Sequence, residues 1–176
     1  MSFFSKSEPE TPGYTIIKIY KGFEIREYKP ILYASVIKEG KMMDVGSSGF
    51  RELAGFIFGG NSESKKIAMT APVTFKPVAG ETGKTEMSFT MPEGFDTNNL
   101  PKPNSTSVKI HVDKGIRLAV LEFGGFASNE KLEEKANELR KLLKNENLTW
   151  KEPYRFFAYN SPYKVFNRKN EVAFEL

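Results

Sequence analysis

The chain has 176 residues, a formal net charge of +4, one histidine and no cysteine. This length suits a single domain with its own core, and the lack of cysteine excludes disulfides, thiolate metal sites and cysteine nucleophiles. A single histidine argues against a zinc site built from protein ligands. Lysine and arginine are mixed with glutamate, which argues against a nucleic-acid-binding surface, and no apolar run approaches a membrane span. We expect a soluble, cytoplasmic protein.

The first part of the chain predicts three strands. Residues 1–13 are polar apart from two phenylalanines and predict a flexible N-terminal segment. From there apolar and polar residues alternate, which predicts strands over 14–20 and 23–28. A third strand over 31–37 follows Pro30, so we expect the second and third strands to form a hairpin.

A helix should follow these strands. Either Ser47 or Ser48 can cap its first turn, and Gly-Gly-Asn ends it after about Phe58. At 100° per residue, Phe56 lies away from the apolar stripe of this helix. The stripe itself consists of four residues: Phe50, Leu53, Ala54 and Ile57.

The rest of the chain repeats this pattern. Strands over 66–75 and 85–91 follow the helix, and a linker over 92–107 with three prolines comes next. The second half then predicts the same order of elements: strands over 108–112 and 116–123, a helix from Ser128 to about Asn145, and strands over 154–159 and 172–176. In this half we again expect the two strands before the helix to form a hairpin.

The two halves also match residue by residue. A shift of 85 positions places identical residues on one another: Ile25 on Ile110, Ala34 on Ala119, Gly40 on Gly125 and Glu86 on Glu171. We therefore interpret residues 14–176 as one domain of two half-repeats, 14–91 and 108–176. Each half is a ββαββ unit that cannot bury both faces of its sheet alone. The predicted fold is α+β, with the units paired about a pseudo-twofold axis into an antiparallel, barrel-like core that carries two helices.

Several short motifs add a family resemblance. They are Phe-Glu-Ile-Arg-Glu-Tyr at 23–28, Gly-Gly-Asn at 59–61, Met-Thr-Ala-Pro-Val at 69–73, Phe-Gly-Gly-Phe at 123–126, Tyr-Asn-Ser-Pro at 159–162 and Arg-Lys-Asn-Glu-Val at 168–172. Through them the chain resembles the SOUL family of haem-binding proteins. The resemblance implies a distorted eight-stranded barrel with two helices. It also implies that the protein binds haem or another tetrapyrrole without catalysis, in haem handling or signalling.

The resemblance points to a ligand site on the first helix. Some family members ligate haem through a histidine at the position of Glu27, so this chain lacks that axial ligand. Others hold the porphyrin with methionine and basic residues of the first helix, where this chain has Arg51 and Phe56. Lys164 matches a family lysine that precedes the Arg-X-Asn-Glu-Val ending.

These positions define a candidate amphipathic pocket. It would offer apolar walls to a planar ligand and cations to its carboxylates. Its members are Arg51, Phe56, Met42, Met43 and Lys164. The alternative is an ordinary helix in which Phe56 packs under the loop that carries the two methionines, while both cations are solvated.

Other polar residues offer weaker signals. His111 should project from its strand with Lys109 and Asp113, which predicts a solvated or salt-bridged histidine instead of an iron ligand. Glu27 continues an apolar face, so burial would raise its pKa, whereas a twist beside Pro30 would expose it. No motif places a nucleophile near the histidine, and we predict no catalytic and no metal-binding residues.

The alternative function is an effector-binding or interaction module for another hydrophobic small molecule, as in gyrase-inhibitor-like folds.

Overall fold

The computed structural model describes residues 8–160 and 165–176. Nine strands and two helices follow one another in this order: β1 Tyr14–Tyr20, β2 Phe23–Tyr28, β3 Ile31–Glu39, α1 Gly46–Ile57, β4 Val73–Pro77, β5 Lys84–Thr90, β6 Lys109–Asp113, β7 Ile116–Phe123, α2 Asn129–Asn145, β8 Lys151–Ala158 and β9 Asn170–Glu175. Neither helix is long and apolar enough to cross a membrane, within the part of the chain described.

All nine strands belong to one antiparallel sheet, in the order β1-β2-β7-β9-β8-β4-β5-β3-β6. The sheet curls into a half-barrel, which confirms the predicted α+β, barrel-like class. The sheet has one strand more than the eight that the resemblance implies, because β1 pairs with β2 and extends the sheet at its edge. The other edge strand is β6.

The two predicted hairpins before the helices are wrong. Strand β2 pairs with β7 instead of β3, and β3 pairs with β6 and β5. Each half therefore gives one strand to the other half, and main-chain hydrogen bonds join the halves. Without β1, the first half contributes β2 to β5 and the second half contributes β6 to β9. When the strands of the two halves are exchanged in chain order, the sheet order reads the same from the opposite edge, as a pseudo-twofold arrangement requires. The internal duplication itself stays a prediction.

Strand β4 starts later than predicted. It begins at Val73, after the cis peptide bond between Ala71 and Pro72. Proline has no N–H to give to a strand ladder. The residues before Pro72 form only isolated bridges among the described residues: Lys66 pairs with Phe58, and Thr70 pairs with Glu10.

The sheet buries a different set of residues on each face, because side chains alternate along a strand. The helix face packs against α1 and α2 and holds the larger core, which includes Leu53, Phe75, Phe89, Leu139, Phe156 and Phe174. The opposite face, here called the second face, holds a smaller cluster: Tyr28, Ile31, Tyr33, Leu118, Val120, Phe157 and Ala173. Charged and hydroxyl side chains surround this smaller cluster.

Helix α1 differs from its prediction in two ways. Its N-cap is Val45, with no side-chain cap, and the Ser48 hydroxyl instead donates to the Val45 carbonyl. Phe56 is buried to 2% exposure in the main core, whereas Phe50 of the predicted stripe is 38% exposed. The other three stripe residues, Leu53, Ala54 and Ile57, are buried as predicted, so the buried arc is shifted from Phe50 towards Phe56. Helix α2 matches its predicted extent, since the Ser128 side chain caps it and its last residue is Asn145.

Gly60 should tolerate no side chain. A Cβ at this residue would lie 2.5 Å from the Gly55 carbonyl oxygen, a backbone atom that cannot rotate away. We expect Gly60→Ala to lower the free energy of unfolding by about 1–3 kcal/mol, as overpacking does. The matched control is Gly55→Ala on the exposed side of α1, where an added Cβ meets open space and should stabilise the helix by about 0.5–1 kcal/mol. Urea unfolding of both variants measures the difference, and equal stabilities would contradict the predicted clash.

Candidate functional site

The five residues of the predicted pocket occupy different environments. Met42 and Phe56 lie in the main core, at 5% and 2% exposure. Met43 and Arg51 are exposed. Lys164 lies outside the described residues. The burial of Phe56 agrees with the alternative considered above, in which this ring packs inside the protein, and ligand binding by the five residues stays a prediction.

The exposed side of α1 nevertheless offers a ligand-sized surface. Arg51, Gly55 and Phe58 follow one another at spacings of four and three residues, so they lie along one side of the helix. All three are exposed, and the Phe58 ring is 60% exposed. Over residues 8–160 and 165–176, Arg51 has no hydrogen-bond or ion-pair partner. No described atom lies within 4 Å of the position that a Cβ would take at Gly55. We call this surface the helix-1 platform.

The helix-1 platform fits part of a porphyrin. A guanidinium without a protein partner can bind a carboxylate in a bidentate manner, and an exposed phenyl ring beside bare backbone can receive a flat apolar ligand. Binding of the haem iron itself would require an additional ligand from the protein. The described residues contain no group of three or more His, Cys, Asp or Glu side chains that could hold a metal. Glu27, at the position of the family histidine, is exposed and pairs with Arg117 at 3.0 Å.

The second face is organised around a buried ion pair. The Arg26 guanidinium donates two hydrogen bonds to the Glu171 carboxylate, at 3.0 and 2.9 Å, and the Glu171 side chain has no exposed surface. The Tyr159 hydroxyl donates to the same carboxylate at 2.8 Å, and the Lys169 ammonium lies 3.3 Å from it. Arg26 also donates to the Tyr28 hydroxyl. With this many donors around it, the buried carboxylate regains the interactions that it loses when its charge is removed from water.

Electrostatics around this pair follow from burial. Burial alone would lower the pKa of Arg26, but the hydrogen bonds and charge of Glu171 outweigh it and raise this pKa above its ordinary value. Burial, together with the negative charge of Glu171, raises the pKa of Tyr159 well above its usual range. Both groups therefore keep one protonation state across physiological pH, as a structural pair requires.

His111, on β6, is the counterpart of Arg26 in the second half of the chain. Its Nε2 lies 2.8 Å from the Ser35 hydroxyl oxygen, and its Nδ1 lies 3.5 Å from the Asp113 carboxylate. Glu86 is 4.0 Å away. These contacts confirm the predicted salt-bridged histidine. The hydrogen bond that the His111 imidazole donates to Asp113, against a smaller opposing effect of burial, raises the pKa of His111 above its ordinary value.

Two voids lie on or beside the second face. The first is a cleft of about 10 Å³ lined by residues that include Tyr33, Thr74 and Arg155, which is room for about one water molecule. The second is an open cavity of about 550 Å³ at the end of the sheet, between residues 10–13, 29–32 and 90–97. Only the second could admit a small organic molecule in this conformation.

Several of these residues were missed at the level of sequence. The sequence pattern marks Phe58 only as the end of the helix, and it gives no signal for Ser35. The shift of 85 residues contains a usable signal, since it places Glu86 on Glu171 and Arg26 on His111. Both glutamates in fact lie beside those two basic side chains.

Comparison with known proteins identifies the family. The family model described as SOUL heme-binding protein matches residues 9–175. The chain belongs to this family. Among SOUL relatives, mouse heme-binding protein 2 is 31% identical over 155 residues, covering 85% of this chain and 76% of the relative. Human heme-binding protein 2 is 32% identical over 158 residues, with the same coverage of each chain.

Solved structures share the fold at much lower identity. The C-terminal domain of EcmrR superposes with a TM-score of 0.66 at 10% identity, covering 92% of this chain and 96% of that domain. A hydrolase from Listeria innocua superposes with a TM-score of 0.59 at 11% identity, and the match covers 86% of this chain and 90% of the hydrolase chain. At such identities the likeness shows that this SOUL chain has the same fold as these proteins, and nothing about its activity.

The buried pair should matter far more for stability than an exposed one. We expect Glu171→Ala to cost about 3–5 kcal/mol of unfolding free energy, because it removes the bidentate partner of the buried Arg26 charge and leaves only the Glu24 carboxylate beside it. Glu27→Ala is the matched control, since it breaks an Arg–Glu pair whose side chains are 52% and 53% exposed, and should cost less than about 1 kcal/mol. Chemical denaturation compares them. Equal losses would show that the buried pair contributes no more than the exposed one.

The single histidine permits a direct test of its environment by NMR. We expect the imidazole of His111 to titrate with a pKa above its ordinary value, and Asp113→Asn to lower that pKa by removing the negative charge beside the ring. Because the folded pKa is raised, the interaction stabilises the fold below pH 6.5, and this stability is lost as the pH rises through the folded value. An unchanged pKa of His111 in Asp113→Asn would show that Asp113 does not stabilise the protonated imidazole.

Proposed function

We propose that this protein binds haem or a related tetrapyrrole reversibly on the helix-1 platform, as a carrier, buffer or sensor, and leaves the ligand chemically unchanged. Family membership supports the ligand class, since the relatives that match most of the chain are named heme-binding proteins. The observation that carries the site is that the exposed Arg51 guanidinium, which has no hydrogen-bond or ion-pair partner among the described residues, lies on the same side of α1 as the exposed Phe58 ring.

Each residue of the platform has a distinct role in this proposal. Arg51 binds a propionate carboxylate, Gly55 leaves room for the macrocycle, and the Phe58 ring packs against its plane. At 1.5 Å per residue, Arg51 and Phe58 lie about 10.5 Å apart along the helix axis. Met43 would extend the site from the turn before α1, and Lys164 stays a predicted member of it. Bound haem would supply redox-active iron, and the chain would bind and orient it.

The proposal includes a cytoplasmic location. A chain without cysteine is compatible with a reducing compartment. Its near balance of 26 basic and 22 acidic residues favours a small-molecule ligand over nucleic acid.

A second candidate function is the binding of a different hydrophobic small molecule. The open cavity of about 550 Å³ favours it, because small-molecule pockets usually measure about 300–1,000 Å³. Its apolar lining comes from Leu32, Met91, Phe95 and Val112. None of the residues that line this cavity belongs to the helix-1 platform, so the two candidates can be separated by mutation.

Titration of the purified protein with haemin tests the first candidate. We expect a Soret shift at micromolar haemin, and a dissociation constant at least about tenfold higher in Arg51→Gln, since a charge-assisted hydrogen bond contributes about 1.5–3 kcal/mol. Phe58→Ser should also weaken binding. Arg117→Gln is the control, because this exposed arginine lies on β7, away from the platform, and should bind as the wild type does.

Two outcomes would count against this assignment. No Soret shift at micromolar haemin would overturn haem binding, and an equal loss in Arg117→Gln would overturn the site. If apolar amphiphiles raise the melting temperature while haemin does not bind, the second candidate is favoured. Leu32→Asp in the open cavity should then abolish the thermal shift.

A further inference from the structure

A second cation lies beside the helix-1 platform. Lys66 belongs to the segment between α1 and β4, and it forms an isolated antiparallel bridge with Phe58. The amide N–H of Ile67 donates to the Ile57 carbonyl at 2.7 Å and holds this segment against the end of the helix. Residues that face one another across an antiparallel pair direct their side chains to the same side. The Lys66 side chain therefore extends on the same side as the exposed Phe58 ring.

The protein itself makes no use of the Lys66 charge. Lys66 is exposed, and over residues 8–160 and 165–176 its ammonium has no hydrogen-bond, ion-pair or ring partner. Its neighbour Lys65 differs, because the Lys65 ammonium lies 5.2 Å from the centroid of the Phe95 ring. Two adjacent lysines thus have different surroundings, and only Lys66 is paired with the platform.

The nearby carboxylates leave both cations available. Glu52, next to Arg51 on α1, pairs with the Lys38 ammonium and accepts a hydrogen bond from the Ser107 hydroxyl. Its charge is therefore balanced by a different lysine. Glu63, three residues before Lys66, is exposed and makes no ion pair with it. The surface around Phe58 thus carries two positive charges, from Arg51 and Lys66, that are available to an anionic ligand.

The two cations flank one apolar surface. Arg51 precedes Phe58 by seven residues, which is about 10.5 Å along the helix axis, while Lys66 is paired with Phe58 itself. Both side chains are long, with an apolar stem and a charged end. Their charged ends can therefore approach a single ligand that lies over Gly55 and the Phe58 ring. Haem has this character, because its two propionates leave the same edge of a flat apolar macrocycle.

We propose that Lys66 is a ligand-binding residue, and that Arg51 and Lys66 together select a tetrapyrrole with two carboxylates on one edge. Arg51 binds one carboxylate through two parallel hydrogen bonds, and Lys66 binds the other as a point charge. The role of Lys66 rests on the proposed function, and it adds a specificity to that function. Tetrapyrroles whose carboxylates are esterified lose both ion pairs and should bind less tightly.

The second contact gains from the first. A single exposed ion pair contributes little, because water screens it. Once one propionate is bound to Arg51, the other is held near Lys66, and its binding becomes an intramolecular step. Both contacts are electrostatic and close to solvent, so the affinity for haemin should fall as the salt concentration rises.

Titration with haemin and with haemin dimethyl ester tests this role. We expect the dissociation constant for haemin to be about three- to tenfold higher in Lys66→Gln, because an ammonium binds a carboxylate less strongly than a bidentate guanidinium does. Lys66→Arg keeps the charge and should bind haemin as the wild type does. The matched control is Lys65→Gln, which removes the same charge one residue away and should leave the affinity unchanged. The dimethyl ester should bind the wild type and Lys66→Gln equally.

Differential acetylation supplies a second readout on the wild-type protein. An N-hydroxysuccinimide ester of acetic acid modifies exposed lysines, and peptide mass spectrometry measures the extent at each one. We expect bound haemin to slow the acetylation of Lys66 and to leave that of Lys65 unchanged. Haemin dimethyl ester should protect neither lysine.

The outcomes separate the role of Lys66 from the proposed function. If haemin binds and Arg51→Gln weakens it, while Lys66→Gln binds as the wild type does, the role of Lys66 is overturned and the helix-1 platform stands. An equal loss in Lys65→Gln would also overturn it, since any nearby positive charge would then serve. If the wild type does not bind haemin, both proposals are overturned.

Discussion

The exchange of strands between the two halves is the constraint on which the rest of this structure depends. Because β2 pairs with β7 and β3 pairs with β6, neither half has a complete sheet alone. The exchange brings Arg26 within hydrogen-bond distance of Glu171, which is 145 residues away in the chain. It also brings His111 beside Ser35. A simple pair of local hairpins would have created neither contact.

The curled sheet then separates two chemical environments. Its helix face is an apolar core in which α1 and α2 are packed, and the outer side of α1 is left exposed with Arg51 and Phe58. Its second face buries charged and hydroxyl groups around a few aromatic rings. Polar groups in such a place need partners, since an unpaired buried charge is far more costly than a paired one. This need explains the dense hydrogen bonding of Glu171.

The two basic positions on the second face show how context changes a similar arrangement. Arg26 and His111 each lie beside a glutamate, yet the arginine pair is almost fully buried and the histidine is one-third exposed. Arginine stays charged at every physiological pH and can serve as a permanent cross-link between strands. Histidine changes its protonation near neutrality, so its neighbours determine whether it acts as a base or as a cation.

Periodicity alone determined the order and type of the elements, because alternation and the 100° repeat are local properties of the chain. The extent of α2 was predictable for that reason, and the family motifs identified the fold class. Strand partners were not predictable, because hydrogen-bond pairing across the sheet depends on distant segments. Only the tertiary structure decided that Phe56 is buried and that Ser35 contacts His111, since both facts depend on which surfaces meet.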